Sequence, residues 1–471
     1  MSSSNELEKD IFEFQLAVLE SVAVVLEKEP SPFHLESKAF LALEVFKNVE
    51  DRWNRICQNP AISKQLNKVI SLERTGSMPV GSKYLLGLTL VEDILDRQVS
   101  GLPGLTWHID NNLGSDFAAL FLRDEVPLVT RAPIYGLLLT SGETITLEEG
   151  VNLIPPHLPS HEFDFLTAHL PDPYRPSPTI VFEHKWHEKK TLVERSRERS
   201  SYGPTEEDTT FYRIVLVLRL LGLRNFGAPY VKNGLLAPGF AIGYKQYGFN
   251  LSSSSKCITA LDKLDEKEYA GLLQAWKVLR QVLPVTEDDR TKWFAIALKK
   301  MNTACQRDNS LDELLDLCVS LEALLTREPQ QVTYQFKQRG TFLLSLACAY
   351  LSEGQLRAIR KFLGDAYDMR SRLVHGEPPD IIGVEETNAG LFELARIFSL
   401  KSIALSSHLI KDEIISRIDL GMANNKTRKD LEEMLQASDL APFWNAPYEK
   451  VTKLFQDMPV DCFSSESREL T

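Results

Sequence analysis

An arginine, a serine and a histidine stand close together in one short stretch of the sequence. The stretch AYDMRSRLVHGEPPD, from Ala366 to Asp380, carries Arg370, Ser371 and His375. A histidine titrates near neutral pH and can give or take a proton, and the planar guanidinium of an arginine suits an anion such as phosphate. Side by side, the two groups could move a proton and stabilise the negative charge that develops in a reaction.

The helix that must position these residues is predicted to run from Gly354 to Val374. Arg370 falls on its apolar stripe, whereas Arg372 falls on roughly the opposite face. An unpaired charge is costly on a packed face, so Arg370 needs an explanation there, while Arg372 fits a solvated surface charge. The other residues of the stripe are Leu356, Ile359, Leu363, Ala366 and Leu373.

The predicted helix ends at His375. Gly376 suits the left-handed conformation that follows many helices, and Pro378 and Pro379 cannot continue a helix. At the negative end of the helix dipole the charged form of His375 is favoured, so its pKa is expected to rise. A histidine in this position, beside a fixed arginine, could act as a general acid or base.

A purely structural explanation fits the same residues. His375 would cap the helix, and Arg370 would form a salt bridge with Glu322 or Asp368. Matches as short as arginine, four residues and histidine are common by chance. Only the surrounding sequence can therefore favour the chemical interpretation.

The net charge limits how this chain could bind nucleic acid. The formal charge is −12 and the pI is about 5.4, which argues against a protein covered in positive charge. A local basic cleft on an acidic protein is compatible with these values. From Gly354 to Gly376 there are five basic and two acidic residues, an excess of three positive charges around Arg370.

Cysteine use and apolar runs bear on the compartment. The six cysteines are scattered singly, without a CxxC pair, which favours a reducing compartment over a disulfide framework. The start MSSSNELEKD lacks the basic and apolar segments of a signal peptide. The longest uncharged apolar run is shorter than the roughly 20 residues that a membrane span needs. We expect a cytoplasmic protein with no membrane partner.

The length of 471 residues and the changing patterns along the chain predict an α+β multidomain protein. A mixed α/β N-terminal region is expected to precede an all-α helical bundle. We assign residues 1–100 to a mainly helical N-terminal region and 101–255 to a mixed, β-rich domain. Residues 260–420 are assigned to the bundle and 421–471 to a short C-terminal helical tail.

Local patterns predict the individual elements. Helices are expected from about Asn5 to Glu29 and from Leu35 to Ile70, and a β-hairpin or meander is expected around a turn at Ser141-Gly142. Residues PTIVFEHKWH predict a strand, and FYRIVLVLRLLGL predicts a buried helix. The bundle is predicted to contain helices at about Glu266–Val282, Thr286–Cys305, Ser310–Thr326, Val332–Leu351, Gly354–Val374 and Glu385–Ile418.

The helical region from about Thr286 to Ile418 resembles the HEPN superfamily, specifically its Apea-like branch. The family motif is an arginine, a polar residue and, after four to six intervening residues, a histidine, which appears as Arg370, Ser371 and His375. The segments LDLCVSLEALLT and QFKQRGTFLLSLA are similar to the second and third helices of the family. Glu322 and Arg339 match its recurring polar positions.

The resemblance implies metal-independent RNA cleavage without a cofactor. The ribose 2′-hydroxyl would attack the adjacent phosphate, with His375 as general acid or base, Arg370 on the scissile phosphate and Ser371 orienting the pair. Products would carry 2′,3′-cyclic phosphate and 5′-hydroxyl ends. Supporting residues would be Glu322, Arg339, Tyr367 and Arg372.

The resemblance also implies partners. HEPN sites usually combine two facing copies of the motif, and this chain has one, so a homodimer formed through the HEPN domain is expected. Proteins of this kind resemble bacterial stress or antiphage defence effectors. The N-terminal region would sense a protein or nucleic-acid trigger, and RNA would be the substrate.

Two other functions remain open at the level of the sequence. Some HEPN domains bind nucleotides or proteins without cutting, and Arg370 would then anchor the ligand. The bundle could also be a structural dimerisation domain, in which Arg370 would have no chemical role.

Two further residue groups carry weaker signals. A zinc site among the histidines would need four ligands at suitable spacing, which no cysteine or carboxylate pattern supplies, so exposed histidines are favoured. Three tyrosines could stack on bases, although strand packing is favoured because aromatic residues are common in strands. The histidines are His157, His161, His169, His184 and His187, and the tyrosines are Tyr230, Tyr244 and Tyr247.

Overall fold

A computed structural model describes most of the chain and two compact units within it. The described residues are 2–28, 38–66, 69–72, 76–79, 84, 86–88, 90–91, 94–95, 113–140, 142–155, 180–193, 206–227, 231–235, 245–247, 262–264, 266–283, 292–327, 330–346, 351–377 and 383–445. The first unit comprises Met1–Ile134, Gly142–Thr209 and Pro229–Phe249, and the second comprises Tyr135–Ser141, Thr210–Ala228 and Asn250–Thr471.

The architecture is mixed, with an antiparallel sheet in the N-terminal half and helices in the C-terminal half. This confirms the mixed α and β composition predicted from the sequence. The four-part division of the chain stays a prediction. Residues 210–228, which the sequence assigns to the β-rich domain, belong by their contacts to the second unit.

Four helices of the first unit are α1 (Ser2–Lys28), α2 (Lys38–Ile56), α3 (Pro60–Ser63) and α4 (Leu113–Leu122). They share an apolar core in which the Trp53 ring lies 5.5 Å from Phe14 and 6.0 Å from Phe117. Aromatic pairs at such distances add to the free energy gained from burial.

The single helix predicted from Leu35 to Ile70 is wrong beyond Ile56. Asn59 accepts a hydrogen bond from the Ala61 amide and caps a new short helix, and Pro60 occupies the first turn, where its missing N–H costs nothing. Residues 69–72 then form a strand rather than a last helical turn.

Ten strands are described, and eight of them form one sheet. Its order is β2-β1-β7-β3-β8-β9, with β6 paired to β7 and β5 paired to β6, and every pairing is antiparallel. Strands β4 and β10 form a separate parallel pair. The strands are β1 (Val69–Leu72), β2 (Gly76–Pro79), β3 (Glu125–Ile134), β4 (Leu137–Leu139), β5 (Ile145–Glu148), β6 (Val151–Ile154), β7 (Ile180–Val193), β8 (Val231–Leu235), β9 (Lys245–Tyr247) and β10 (Asp262–Leu264).

The predicted hairpin exists, but its turn lies elsewhere. The strands on either side of Ser141-Gly142 do not pair with each other, because β4 pairs with β10. The chain instead reverses at Gly150, whose φ of 79° is accessible to glycine at little cost. Strand β7 confirms the prediction made from PTIVFEHKWH and extends beyond it.

The second unit contains ten described helices. They are α5 (Glu206–Leu220), α6 (Glu266–Leu279), α7 (Lys292–Ala304), α8 (Ser310–Leu325), α9 (Val332–Ser345), α10 (Glu353–Val374), α11 (Val384–Ser406), α12 (Lys411–Ala423), α13 (Asn425–Gln436) and α14 (Ala441–Asn445). The predicted long helix from Glu385 to Ile418 is wrong, since it is divided into α11 and α12. The hydroxyls of Ser406 and Ser407 donate back to carbonyls of α11, which favours an end at this point.

Helix α11 is the central helix of this unit. Every residue from Leu391 to Leu405 is buried, and α11 contacts α7, α8, α9, α12, α13 and α14. Its buried charges are matched by polar partners: Lys401 Nζ donates to the carbonyls of Leu343, Leu344 and Leu346, and Arg396 pairs with Glu393. None of the described helices has the length and hydropathy of a membrane span.

Candidate active site

Helix α10 is fixed at both ends by local hydrogen bonds. At its start, Ser352 Oγ accepts from the Gln355 amide while the Gln355 side chain accepts from the Ser352 amide, a capping box. At its end, Gly376 has a φ of 81°, and the Glu377 amide donates to the Arg372 carbonyl. This Schellman closure confirms the predicted helix end and makes His375 its C-cap.

The inner face of α10 confirms the predicted stripe and places Arg370 against α8. Ile359, Leu363 and Ala366 are buried, and the Arg370 side chain is 25% exposed. Its Nε lies 3.3 Å from Oε1 of Glu322 on α8. The geometry is that of a charge contact and not a hydrogen bond, since both atoms are buried without a hydrogen-bond partner.

Other arginines of the second unit differ from Arg370 in their hydrogen bonding. Arg339 donates to Asp419, Gln335 and the Leu325 carbonyl. Arg219 donates to Asn302 and to three backbone carbonyls. Within the described part of the chain, the Arg370 guanidinium donates to no protein acceptor and makes only the Glu322 contact and a cation–π contact. Its terminal donors are therefore available to an external anion.

Tyr367 completes this cluster from one turn earlier on α10. The Arg370 guanidinium carbon lies 5.6 Å from the centre of the Tyr367 ring, which packs against Phe336 at 5.4 Å. The Tyr367 hydroxyl also hydrogen-bonds Glu322. Arg370, Glu322 and Tyr367 thus form one contiguous group at the α8–α10 contact.

Partial burial changes the acidity of this group. Burial raises the pKa of Glu322, against the opposing effects of the Arg370 charge and the Tyr367 hydrogen bond. Burial also raises the pKa of Tyr367, and the nearby Glu322 carboxylate raises it further. Burial holds the pKa of the Cys318 thiol far above its ordinary value, so Cys318, one turn before Glu322, is not a reactive thiolate.

His375 is exposed and does not contact this group. It lies five positions after Arg370, which on a regular helix is a rotation of roughly 140° and a rise of about 7.5 Å. Ser371 is half-buried between them, and Arg372 is exposed, as predicted. A single chain therefore brings Arg370, Glu322 and Tyr367 together but leaves His375 on another side of α10.

Arg339, predicted as a supporting residue, lies in a different set of contacts. Its guanidinium forms a bidentate pair with Asp419 on α12, with Nε–Oδ1 at 2.7 Å and a terminal nitrogen to Oδ2 at 2.8 Å. It also holds the end of α8 through the Leu325 carbonyl. Through these contacts Arg339 joins α8, α9 and α12, which is a structural role. No local pattern indicates Asp419 as its partner, since the two are 80 positions apart.

The other candidate groups do not assemble in the described residues. His157, His161, His169, Tyr230 and Tyr244 lie outside them, and nothing is described of the Tyr247 side chain. His184 and His187 are both on β7, where an odd separation puts them on opposite faces of the sheet. The described residues contain no group of three or more potential metal ligands.

The chain was compared with known proteins at three levels. No family model, no curated protein and no solved structure matches it.

Proposed function

We propose that the chain is a metal-independent endoribonuclease of the HEPN type, in the Apea-like branch, with its site around Arg370, Ser371 and His375. One observation carries the proposal: Arg370 is three-quarters buried, yet its guanidinium donates no hydrogen bond within the described part of the chain. Within that part of the chain, its Nε is buried without a hydrogen-bond partner, and buried donors are expected to have acceptors, while its terminal nitrogens donate to no protein acceptor. A phosphate would supply them in the fork geometry that a guanidinium favours.

The proposed reaction is a transesterification within the RNA strand. The ribose 2′-oxygen attacks the adjacent phosphorus, and the bond from phosphorus to the 5′-oxygen breaks. His375 takes the proton from the 2′-hydroxyl or delivers one to the leaving 5′-oxygen. Arg370 binds the non-bridging oxygens, where negative charge develops, and Ser371 helps orient the phosphate. The products carry a 2′,3′-cyclic phosphate and a 5′-hydroxyl.

The proposed site is shared by two copies of the chain. Arg370 and His375 of one chain point to different sides of α10, so a second copy that faces the first would complete the site with its own motif. The chain would act as a homodimer on cellular RNA. Its place would be that of a bacterial stress or antiphage defence effector, in which the N-terminal region senses the trigger.

The test is RNA cleavage by the full-length chain in the presence of EDTA, with product ends identified by their sensitivity to phosphatase and kinase. We expect Arg370→Ala and His375→Ala to lose at least about 100-fold in rate, as general acid–base groups commonly do. Arg360→Ala, an exposed arginine ten positions before Arg370 on the same helix, is the matched control and should retain activity within about twofold. Cleavage that survives both changes in folded protein would contradict the proposal.

A second candidate function is a non-catalytic HEPN module that binds a nucleotide or a protein. The observation in its favour is that Arg370 can receive an anion without any contribution from His375. Calorimetry with mononucleotides would then show binding that Arg370→Ala abolishes and His375→Ala preserves. RNA incubated with the protein would remain intact under every condition.

A further inference from the structure

A shallow cavity of about 550 Å³, wide open to solvent, lies between α7, α8 and α12, away from the Arg370 group. Its size lies within the range of small-ligand pockets, roughly 300–1,000 Å³. Ala323 lines it, and this residue follows Glu322 directly, about 100° further around α8. The cavity and the Arg370 group therefore face different sides of one helix. The remaining lining residues are Lys292, Trp293, Ile296, Ile410, Lys411 and Asp412.

The charged groups at the cavity leave a positive excess. Lys292 is exposed at the start of α7, and Lys411 is half-buried at the start of α12, with its ammonium 5.9 Å from the centre of the Trp293 ring. Asp412 is the acidic lining residue, and its carboxylate lies 3.4 Å from Nε of Arg327. Asp412 offsets one of the three basic groups near it, Lys292, Lys411 and Arg327, so a positive excess of two charges remains to attract an anion.

Lys411 is in a position where an anion would be stabilised further. Burial lowers its pKa, the Asp412 carboxylate opposes that effect, and the Arg339 charge adds to it, so its charged form lacks full compensation from the protein. The residue at the N-cap of α12 is Ile410, whose side chain cannot accept a hydrogen bond from the first amides of the helix. The Lys411 charge and the uncapped start of α12 favour an anion beside Lys411. The adjoining cavity provides the space in which such an anion could bind.

The remaining lining is apolar. Trp293 forms part of the wall with 7% of its surface exposed, and Ile296 extends the wall one turn further along α7. Ile410 is 52% exposed at the rim, an unusual place for a large aliphatic side chain at a helix start. A ligand that carried only charge would leave this apolar surface in water, so its body should be apolar.

We propose that this cavity binds a small organic anion, in which one carboxylate, sulfonate or phosphate group is attached to a compact apolar body. The anionic group lies between Lys292 and Lys411, and the body packs on Ile296, Ile410 and the edge of Trp293. The site is separate from the proposed ribonuclease site and does not depend on that function.

The test uses two fluorescent probes with the same kind of apolar body. One is 8-anilinonaphthalene-1-sulfonate, which is an anion, and the other is N-phenyl-1-naphthylamine, which is neutral. We expect the anionic probe to bind the full-length protein at one site, about tenfold more tightly than the neutral probe. Lys411→Met and Lys292→Met keep apolar stems and should each weaken binding of the anionic probe about tenfold, with little effect on the neutral one.

The matched control is Lys299→Met. Lys299 is exposed on the same face of α7, two turns beyond Lys292, and does not line the cavity. Its loss should leave the affinity for the anionic probe unchanged. Urea unfolding midpoints that match wild type show that the variants are folded. Because Lys292 is exposed, Lys292→Met still tests binding of the anionic probe if Lys411→Met lowers stability. Equal affinity for the two probes, or unchanged binding in both cavity variants, would overturn the proposal.

Discussion

Arg370 is a residue that the fold buries without supplying it with acceptors. Arg219, Arg339 and Arg396 are buried more deeply, and each donates several hydrogen bonds to side chains or backbone carbonyls. Desolvation of an unsatisfied charged donor is costly, and the Glu322 carboxylate and the Tyr367 ring beside the guanidinium offset part of that cost. An anion that binds the free terminal donors would remove part of that cost.

Glu322 should make stability depend on pH. Its folded pKa is raised, so it contributes most to stability when protonated, below its unfolded value near 4.5. That contribution is lost as the pH rises through the folded pKa. Glu322→Gln keeps an acceptor for Tyr367 and removes the titration. We therefore expect the melting temperature of this variant, relative to wild type, to increase between pH 4 and pH 8 by a few degrees.

The control for this pH series is Glu433→Gln on α13, an exposed glutamate. Its melting temperature relative to wild type should stay constant across the same range. If the melting temperature of Glu322→Gln relative to wild type instead decreased from pH 4 to pH 8, the folded pKa of Glu322 would be lowered. The Arg370 charge, and not burial, would then dominate that pKa.

At the scale of elements, the C-terminal end of α10 is where the sequence was most informative. A glycine followed by two prolines carries a local mechanism that tertiary contacts rarely override. The face of Arg370 also followed from periodicity alone. These local signals explain why the helix, its cap at His375 and the packed side of Arg370 could be predicted, whereas Glu322 was one of two acidic partners that the sequence left open.

Other features depend on contacts that no local pattern contains. The break between α11 and α12 involves neither glycine nor proline, and apolar residues continue across it at helical spacing. The Arg339–Asp419 pair and the parallel pairing of β4 with β10 join residues that are far apart in sequence. Helical periodicity does place Arg370 and His375 roughly 140° apart, but it does not show that Arg370 packs against α8 while His375 is exposed.

The Schellman closure of α10 should matter for more than stability. Alanine in place of Gly376 must adopt a φ near 81°, which costs about 1–2 kcal/mol in unfolding free energy. It should also displace the neighbouring His375 and lower the rate of RNA cleavage about tenfold or more. Urea unfolding and a cleavage assay measure the two effects.

Gly383 provides the matched control, because its φ is 86° and, as at Gly376, an added Cβ would meet open space. Gly383→Ala should lose similar stability and keep its cleavage rate. Equal losses of activity in the two variants would mean that lowered stability, and not the position of His375, explains the effect.

Lys401 should be essential for the packing of α11 against the end of α9. Its side chain is fully buried, and its ammonium is hydrogen-bonded to three carbonyls after Phe342. Lys401→Met removes a charged donor that all three carbonyls share, so we expect a loss of about 3–5 kcal/mol in unfolding free energy. Leu400→Met, an adjacent and equally buried change, should cost less than about 1.5 kcal/mol. Equal losses in urea unfolding would indicate a general effect of substitution in α11.

At the scale of the whole molecule, the two groups to which we assign the proposed chemistry do not lie together in one chain. Arg370 faces α8 and His375 is exposed at the end of α10, roughly 140° away. Two chains whose α10 ends face each other would bring both types of residue into one cleft. The acidic net charge of −12 would then surround a small basic region, and RNA binding should weaken steeply with added salt.

The measurement that tests this account most directly is complementation between two inactive variants. Arg370→Ala and His375→Ala chains, with different affinity tags, are co-expressed, purified through both tags and assayed for RNA cleavage with EDTA present. The account predicts that each homodimer is inactive, while the mixed dimer, which keeps one Arg370 and one His375, recovers a measurable part of the wild-type rate. A doubly tagged dimer that stays as inactive as its parents would contradict a shared site.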